Sequence, residues 1–226
     1  MKYYFFLILL ISCGTLRAQQ KILVNFNLLL EEKPINITDE RAFSESYPIQ
    51  IEALKFYLSK VELLHENILV FSEKNSFHLL DASDKTTLSF PLEIPDSIIF
   101  TTIKFNIGID SLTNISGAFG GDLDPTNGMY WTWQSGYINF KLEGFSIDCP
   151  ARHNRFQFHI GGYQFPNNSL QEVRLETTGI SSISINLSID EIFTQIDLKE
   201  INQIMSPNEK SQYFSSLLPQ LFSIAK

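Results

Sequence analysis

The sequence predicts an all-β fold: an antiparallel β-sandwich of about nine strands with a short C-terminal helical segment. Ile22, Val24, Phe26, Leu28 and Leu30 recur at every second position, the period of a strand with one buried face. Nineteen Phe and eight Tyr stand against three Met, a stock of rigid aromatics that suits pleated sheets. With 226 residues, 44% of them apolar and 19% charged, the chain can bury a single core, which excludes collagen-like, coiled-coil and disordered readings.

Residues 1–18 read as a signal peptide and 19–226 as the domain. Lys2 is a short positive start, Tyr3 to Ser12 an apolar run, and Ala18 a small residue at a cleavage point. The run is about ten residues, short of the roughly 20 that a membrane-spanning helix needs. Leu10-Ile11-Ser12-Cys13 also resembles a lipobox, in which Cys13 would be lipidated, so cleavage after Ala18 and lipidation at Cys13 both stand. Either route places the protein outside the cytoplasm, in the periplasm or at the cell surface, with a membrane attachment only if Cys13 is lipidated. Cys149 is then the single remaining cysteine and has no disulfide partner; it is expected as a small buried hydrophobe.

After the first strand, Glu31-Glu32-Lys33-Pro34 ends the alternation. Between Ile49 and Leu64 the apolar positions change phase twice, from Ile49 and Ile51 to Leu54, Phe56 and Leu58, then to Val61 and Leu63, and each change predicts a bulge. Runs at Phe77 to Leu80 and Thr86 to Leu92 follow, then a long one with Ile99, Thr101, Ile103, Phe105, Ile107 and Ile109 on one face. Ile138-Phe140-Leu142, Phe156-Phe158-Ile160, Val173-Leu175 and Ile183-Ile185-Leu187-Ile189 complete the set. Ser206-Pro207-Asn208-Glu209 predicts a helix start with Ser206 as the cap. Phe214, Leu217, Leu218, Leu221 and Phe222 form its buried stripe, with Pro219 as a break or kink.

The formal net charge of −8 excludes a nucleic-acid backbone as the main partner. No nucleophile elbow, His-Glu-x-x-His helix, phosphate loop or Cys-x-x-Cys pair is present, so the common catalytic chemistries lack their residues and the chain is expected not to be an enzyme. Glu143 and Glu172 are expected as ordinary solvated carboxylates. His65, His78 and His153 match no motif and are expected at the surface.

Gly117 to Gly136, GAFGGDLDPTNGMYWTWQSG, lacks strand alternation and holds both tryptophans. Its glycines permit sharp turns. Asp110, Asp122 and Asp124 either close Asx turns or form a hard-cation site for calcium.

Several segments in and around this loop resemble the MbnP-like copper-binding family, secreted proteins found beside methanobactin-type copper systems. They are Leu54-Lys55-Phe56-Tyr57-Leu58-Ser59, Phe105-Asn106-Ile107-Gly108-Ile109-Asp110, Leu123-Asp124-Pro125, Gly128-Met129-Tyr130-Trp131-Thr132-Trp133, Gly136-Tyr137, Glu143-Gly144 and Phe158-His159-Ile160-Gly161-Gly162. The resemblance spans nearly the whole mature chain and implies a β-sandwich that binds copper through histidine and a tryptophan-derived kynurenine. It also implies, as partner, a dihaem cytochrome c peroxidase of the MbnH type that performs the oxidation. Trp131 or Trp133 matches the modified position and His159 the strand-borne histidine. The chain departs from a Trp-x-His arrangement, because Trp131 is followed two residues later by Trp133.

On chemistry alone, copper(I) prefers thioether, thiolate and imidazole, which leaves His159, Met129, Met205 and Cys149 as soft donors. If Phe156, Phe158 and Ile160 face the core, His159 points the other way and can meet the aromatic loop. The alternative is a calcium-stabilised structural or interaction domain in which the aromatic cluster is core or a docking surface. A third reading stacks a small ring or glycan on Trp131 or Trp133.

Overall fold

The computed structural model describes residues 19–35, 37, 42–43, 49–96, 98–132, 135–177 and 181–225. The segment 1–18 with Cys13, and Trp133, lie outside the described residues. The chain begins with β1 (Gln19–Leu30), β2 (Lys33–Pro34), β3 (Ala42–Phe43) and the long β4 (Ile49–His65). Next come β5 (Ile68–Ser72), β6 (Phe77–Asp81), β7 (Ser89–Pro95), β8 (Thr102–Ile107) and α1 (Ser111–Ile115). β9 (Tyr130–Thr132), β10 (Gly136–Ser146), β11 (Arg155–Gly161), β12 (Gln171–Glu176) and β13 (Ser182–Ser188) follow. The chain closes with α2 (Asp190–Gln195), β14 (Gln203–Ile204), α3 (Glu209–Leu217) and β15 (Phe222–Ile224).

Each expected run contains a strand, and the added strands are short. The smaller sheet has the order β15-β13-β1-β2, with β7 also on β1; the larger has the order β12-β8-β4-β10-β11-β14. Most pairs are antiparallel, but β1 runs parallel to β13 and β11 parallel to β14. The two sheets bury one aromatic-rich core. Phe26 from the small sheet meets Phe56 and Phe105 of the large one edge-on, at 6.3 and 6.1 Å between ring centroids. Each such ring, once buried, contributes about 1.5–3 kcal/mol.

β4 is the spine of the large sheet, and both of its phase changes are bulges. One sits opposite Glu143 and Gly144, where Glu52 is the extra residue; the other lies between Ser59 and Glu62, where Lys60 takes a left-handed φ of 53°. β4 pairs with β10 from Ile49 to Phe56 and with β8 from Leu58 to Leu64, and the second bulge lies within the β8 pairing.

Three expectations are corrected in detail. The 99–109 run forms a strand only from Thr102, and Ile99 is 71% exposed. Thr86 to Leu88 lie in a 3-10 turn capped by Asp84, because the Asp84 side chain accepts from the Thr86 amide and diverts the backbone from the sheet. The C-terminal helix is capped by Asn208, whose side chain accepts from Ser211 N at 3.0 Å, not by Ser206. Pro219 cannot donate an amide, so the helix tightens into a 3-10 turn over Leu218–Leu221, and Phe222 leaves it as part of β15. Phe214 of α3 packs on Phe158, 5.0 Å between ring centroids, and closes one end of the core.

Candidate functional site

The large sheet has a second, outer face. Tyr57 on β4 and Tyr137 and Ile138 on β10 form a separate apolar cluster with Ile109, which follows β8, and with Leu123 and Met129 of the glycine-rich segment. The segment is fastened by tyrosine hydroxyls. Tyr57 Oη donates to the Asp122 carbonyl at 2.9 Å; Tyr137 Oη donates to the Leu123 carbonyl and accepts from Phe119 N, both at 3.0 Å. Burial pushes the Tyr57 phenol up, helped by Tyr137 and Asp122 nearby, so it stays a neutral donor. Asn114, buried at the end of α1, donates to the carbonyls of Ile109 and Asp110 and accepts from Tyr137 N.

The three aspartates are used one at a time. Asp110 caps α1 by accepting from Thr113 N and Oγ1, Asp124 caps the following turn by accepting from Thr126 N and Oγ1, and Asp122 accepts from Leu79 N on β6. The Thr126 bonds hold the Asp124 carboxyl below its ordinary range. These are the Asx-turn roles; the calcium reading gains no support, and among the described residues no three His, Cys, Asp or Glu side chains are grouped to hold a metal.

Beside the cluster lies a charged patch. On β11, Phe156, Phe158 and Ile160 are buried in the main core, and His159 faces outward, 8% exposed. Its cross-strand neighbour is Lys141, and Glu143 stands one step further along β10. His159 Nε2 lies 2.6 Å from Glu143 Oε1, and Arg155 Nη2 lies 2.9 Å from Glu143 Oε2 and 2.7 Å from Glu52 Oε2. Lys141 Nζ is 3.6 Å from Glu143 Oε1. The hydrogen bond from His159, with Lys141 and Arg155, overcomes burial and holds the Glu143 carboxyl at about 2. An ionised carboxylate only accepts, so Nε2 carries the proton and Nδ1 keeps the lone pair in the neutral ring.

Trp131 reaches this same face. A Cβ on Gly161 would lie 2.8 Å from Trp131 Cζ3 and 3.2 Å from Cη2, so the six-membered ring of the indole rests on the glycine backbone. Residues 159 and 161 share a face of β11, so the indole and the imidazole are neighbours along it. Glu143, opposite Gln157, approaches His159 from the other side. Of the residues that the sequence singled out, Trp131 lies against Gly161, two positions along β11 from His159. Met129 and Cys149 are both fully buried, Met129 in the outer cluster against which Trp131 packs and Cys149 in the main core, its Sγ 3.3 Å from the Arg155 carbonyl. Met205, 44% exposed, follows β14.

Glu143 is therefore no solvated carboxylate, whereas Glu172, with 55% of its side chain exposed, is close to one. Alternation alone places Glu143 on the Lys141 face of its strand, but its partners come from β11, and only the pairing of the two strands reveals them. His153 is exposed as expected; His78 is not, for it pairs with Glu73 at 2.8 Å and stacks on Phe90 with centroids 3.6 Å apart.

Copper is the metal that the sequence resemblance implies, and the donors on this face suit it in kind. They include an imidazole with one nitrogen held by a carboxylate, whose other nitrogen is a donor to a metal in the neutral ring, and an aromatic ring that offers no donor as an indole. Among the described residues no helix is long and apolar enough to cross a membrane.

The family model described as MbnP matches residues 19–206. Among solved structures, MbnP from Methylosinus trichosporium superposes with a TM-score of 0.61 over 84% of this chain and 83% of that one, at 13% sequence identity, a likeness of fold. No curated protein matches the chain.

Proposed function

We propose, on the premise that this chain belongs to the MbnP family, that it is an exported copper-binding protein with no catalytic role of its own. In this reading it holds copper(I) on the outer face of the large sheet, through His159 and an oxidised Trp131. One observation carries the reading: the Trp131 ring rests on Gly161, two residues along β11 from the His159 imidazole and on the same face.

The chemistry follows from what each residue lacks. An unmodified indole nitrogen is a donor of hydrogen bonds, not a ligand. Conversion to kynurenine would use two equivalents of peroxide, the oxidant of a peroxidase, to open the pyrrole ring and give two waters, and hydrolysis would then release one carbon as formate, leaving an amine and a ketone. A dihaem cytochrome c peroxidase of the MbnH type is the oxidising partner in this proposal. Glu143 keeps the His159 ring oriented, Arg155 and Lys141 keep Glu143 ionised, and Gly161 leaves room for the aromatic ring. When bound, copper would be sequestered; the residues around it supply binding and orientation only.

Calcium has no part in this account, since the loop is already fastened by Tyr57, Tyr137 and Asn114. Peptide mass mapping of protein recovered from the export compartment tests the proposal. A tryptophan converted to kynurenine gains about 4 Da, and the gain is expected on Trp131. The same gain on Trp133 alone would move the modification off the His159 face, and unchanged mass at both would remove the oxidised residue from the account.

A further inference from the structure

The outer face holds a third feature, on the strand beyond His159. β14 pairs parallel to β11, with Gln203 opposite Gln157 and Ile204 opposite Phe158. The same segment is still alongside β11 three residues later, where Pro207 is so close to Gly162 that a Cβ there would lie 2.9 Å from Pro207 Cβ. Between these two fixed points the register places Met205 opposite His159. The direction of its side chain follows from alternation: Ile204 is 1% exposed and turned into the core, so Met205 is turned out, onto the face that His159 occupies, and it is 44% exposed. Neighbouring strands lie about 4.8 Å apart, so a flexible thioether at this position is within reach of the imidazole.

We infer that Met205 is a copper(I) ligand, a thioether donor that completes the His159 site from the edge strand. This rests on the metal-binding reading of the same face. Thioether sulfur is among the donors that select copper(I), and an exposed methionine aligned with an imidazole needs no rearrangement of the core to bind. Glu143 occupies Nε2, so the donor atoms assigned on this chain are His159 Nδ1 and Met205 Sδ.

The methionines make the test internal. Beyond the initiator the chain has Met129 and Met205, and Met129 is fully buried in the outer cluster, so a sample labelled at the methionine methyls carries a probe and a control. On titration with copper(I), the Met205 methyl is expected to shift together with the His159 ring signals while the Met129 methyl stays. Met205→Leu, which keeps the size of an exposed side chain and removes the sulfur, is expected to weaken copper(I) at least about tenfold against a competing chelator. His159 signals that move while the Met205 methyl does not, or a Met205→Leu protein of unchanged affinity, would overturn the assignment of Met205 and leave the His159 site standing. Copper(I) that shifts neither residue would overturn the metal-binding reading itself, and the ligand role of Met205 with it.

Discussion

Gly161 and Trp131 are fitted to one another: the six-membered ring of the indole lies where a Cβ at position 161 would be, 2.8 Å away at Cζ3. The contact ties the glycine-rich segment to β11 and sets the aromatic ring next to His159. Few single atoms in the molecule decide as much about the site as the one Gly161 lacks.

An added Cβ would also lie 2.6 Å from the Tyr137 carbonyl, so Gly161→Ala is expected to displace the indole, press on β10 and destabilise the protein by about 1–3 kcal/mol, the usual cost of forcing atoms into an occupied space. Near-ultraviolet circular dichroism and the emission of a Trp133→Phe background, in which Trp131 is the remaining tryptophan, would report the displacement. An alanine variant with the parent spectrum and stability would contradict the packing described.

Tyr57→Phe removes one hydroxyl and the hydrogen bond to the Asp122 carbonyl. The expected loss is about 1 kcal/mol, felt locally in the glycine-rich segment. Hydrogen exchange should quicken at the amides of Asp124 and Gly128, which bond to the Gly121 and Pro125 carbonyls, and stay unchanged at β1 amides. Uniform exchange throughout would show that the tyrosine does not fasten this segment.

Much of this fold is legible in the sequence because one-sided burial imposes a period of two. Ile22 to Leu30 shows it directly, and the two changes of phase in β4 announce its bulges at Glu52 and Lys60. The parallel pairing of β1 with β13 leaves no local trace, since register between distant strands is set by the assembled core. The site divides in the same way. The position of His159 on the outward face follows from alternation, but its bond to Glu143 arises across two strands, and the seat of the indole on Gly161 arises from a loop meeting a strand. The cap at Asn208 in place of Ser206 shows a local signal shifted by a competing neighbour, because both residues can accept from a first-turn amide.

Acid should weaken the protein through Glu143. Its carboxyl is held at about 2, below the ordinary 4.5, so the native state favours the ionised form. The resulting stabilisation is fully present above pH 4.5 and is lost as pH falls toward 2, amounting to about 3 kcal/mol. Denaturant unfolding across this range should show the loss, and Glu143→Gln should flatten it. Identical pH profiles for the two proteins would contradict the arrangement of Glu143 with His159, Lys141 and Arg155.

A chelator of hard cations should leave the melting temperature where it was. Asp110, Asp122 and Asp124 accept hydrogen bonds from three different segments and do not converge. A lowered melting temperature after verified removal of metal would reinstate a cation in the loop.

The most direct test of the whole account is the affinity for copper(I), measured by competition with a chelator for the protein from its native compartment and for its His159→Ala variant. The account predicts that loss of the imidazole weakens binding at least about tenfold, equivalent to about 1.4 kcal/mol. Equal affinities would contradict it, because the metal would then be held somewhere other than the face that His159 shares with Trp131.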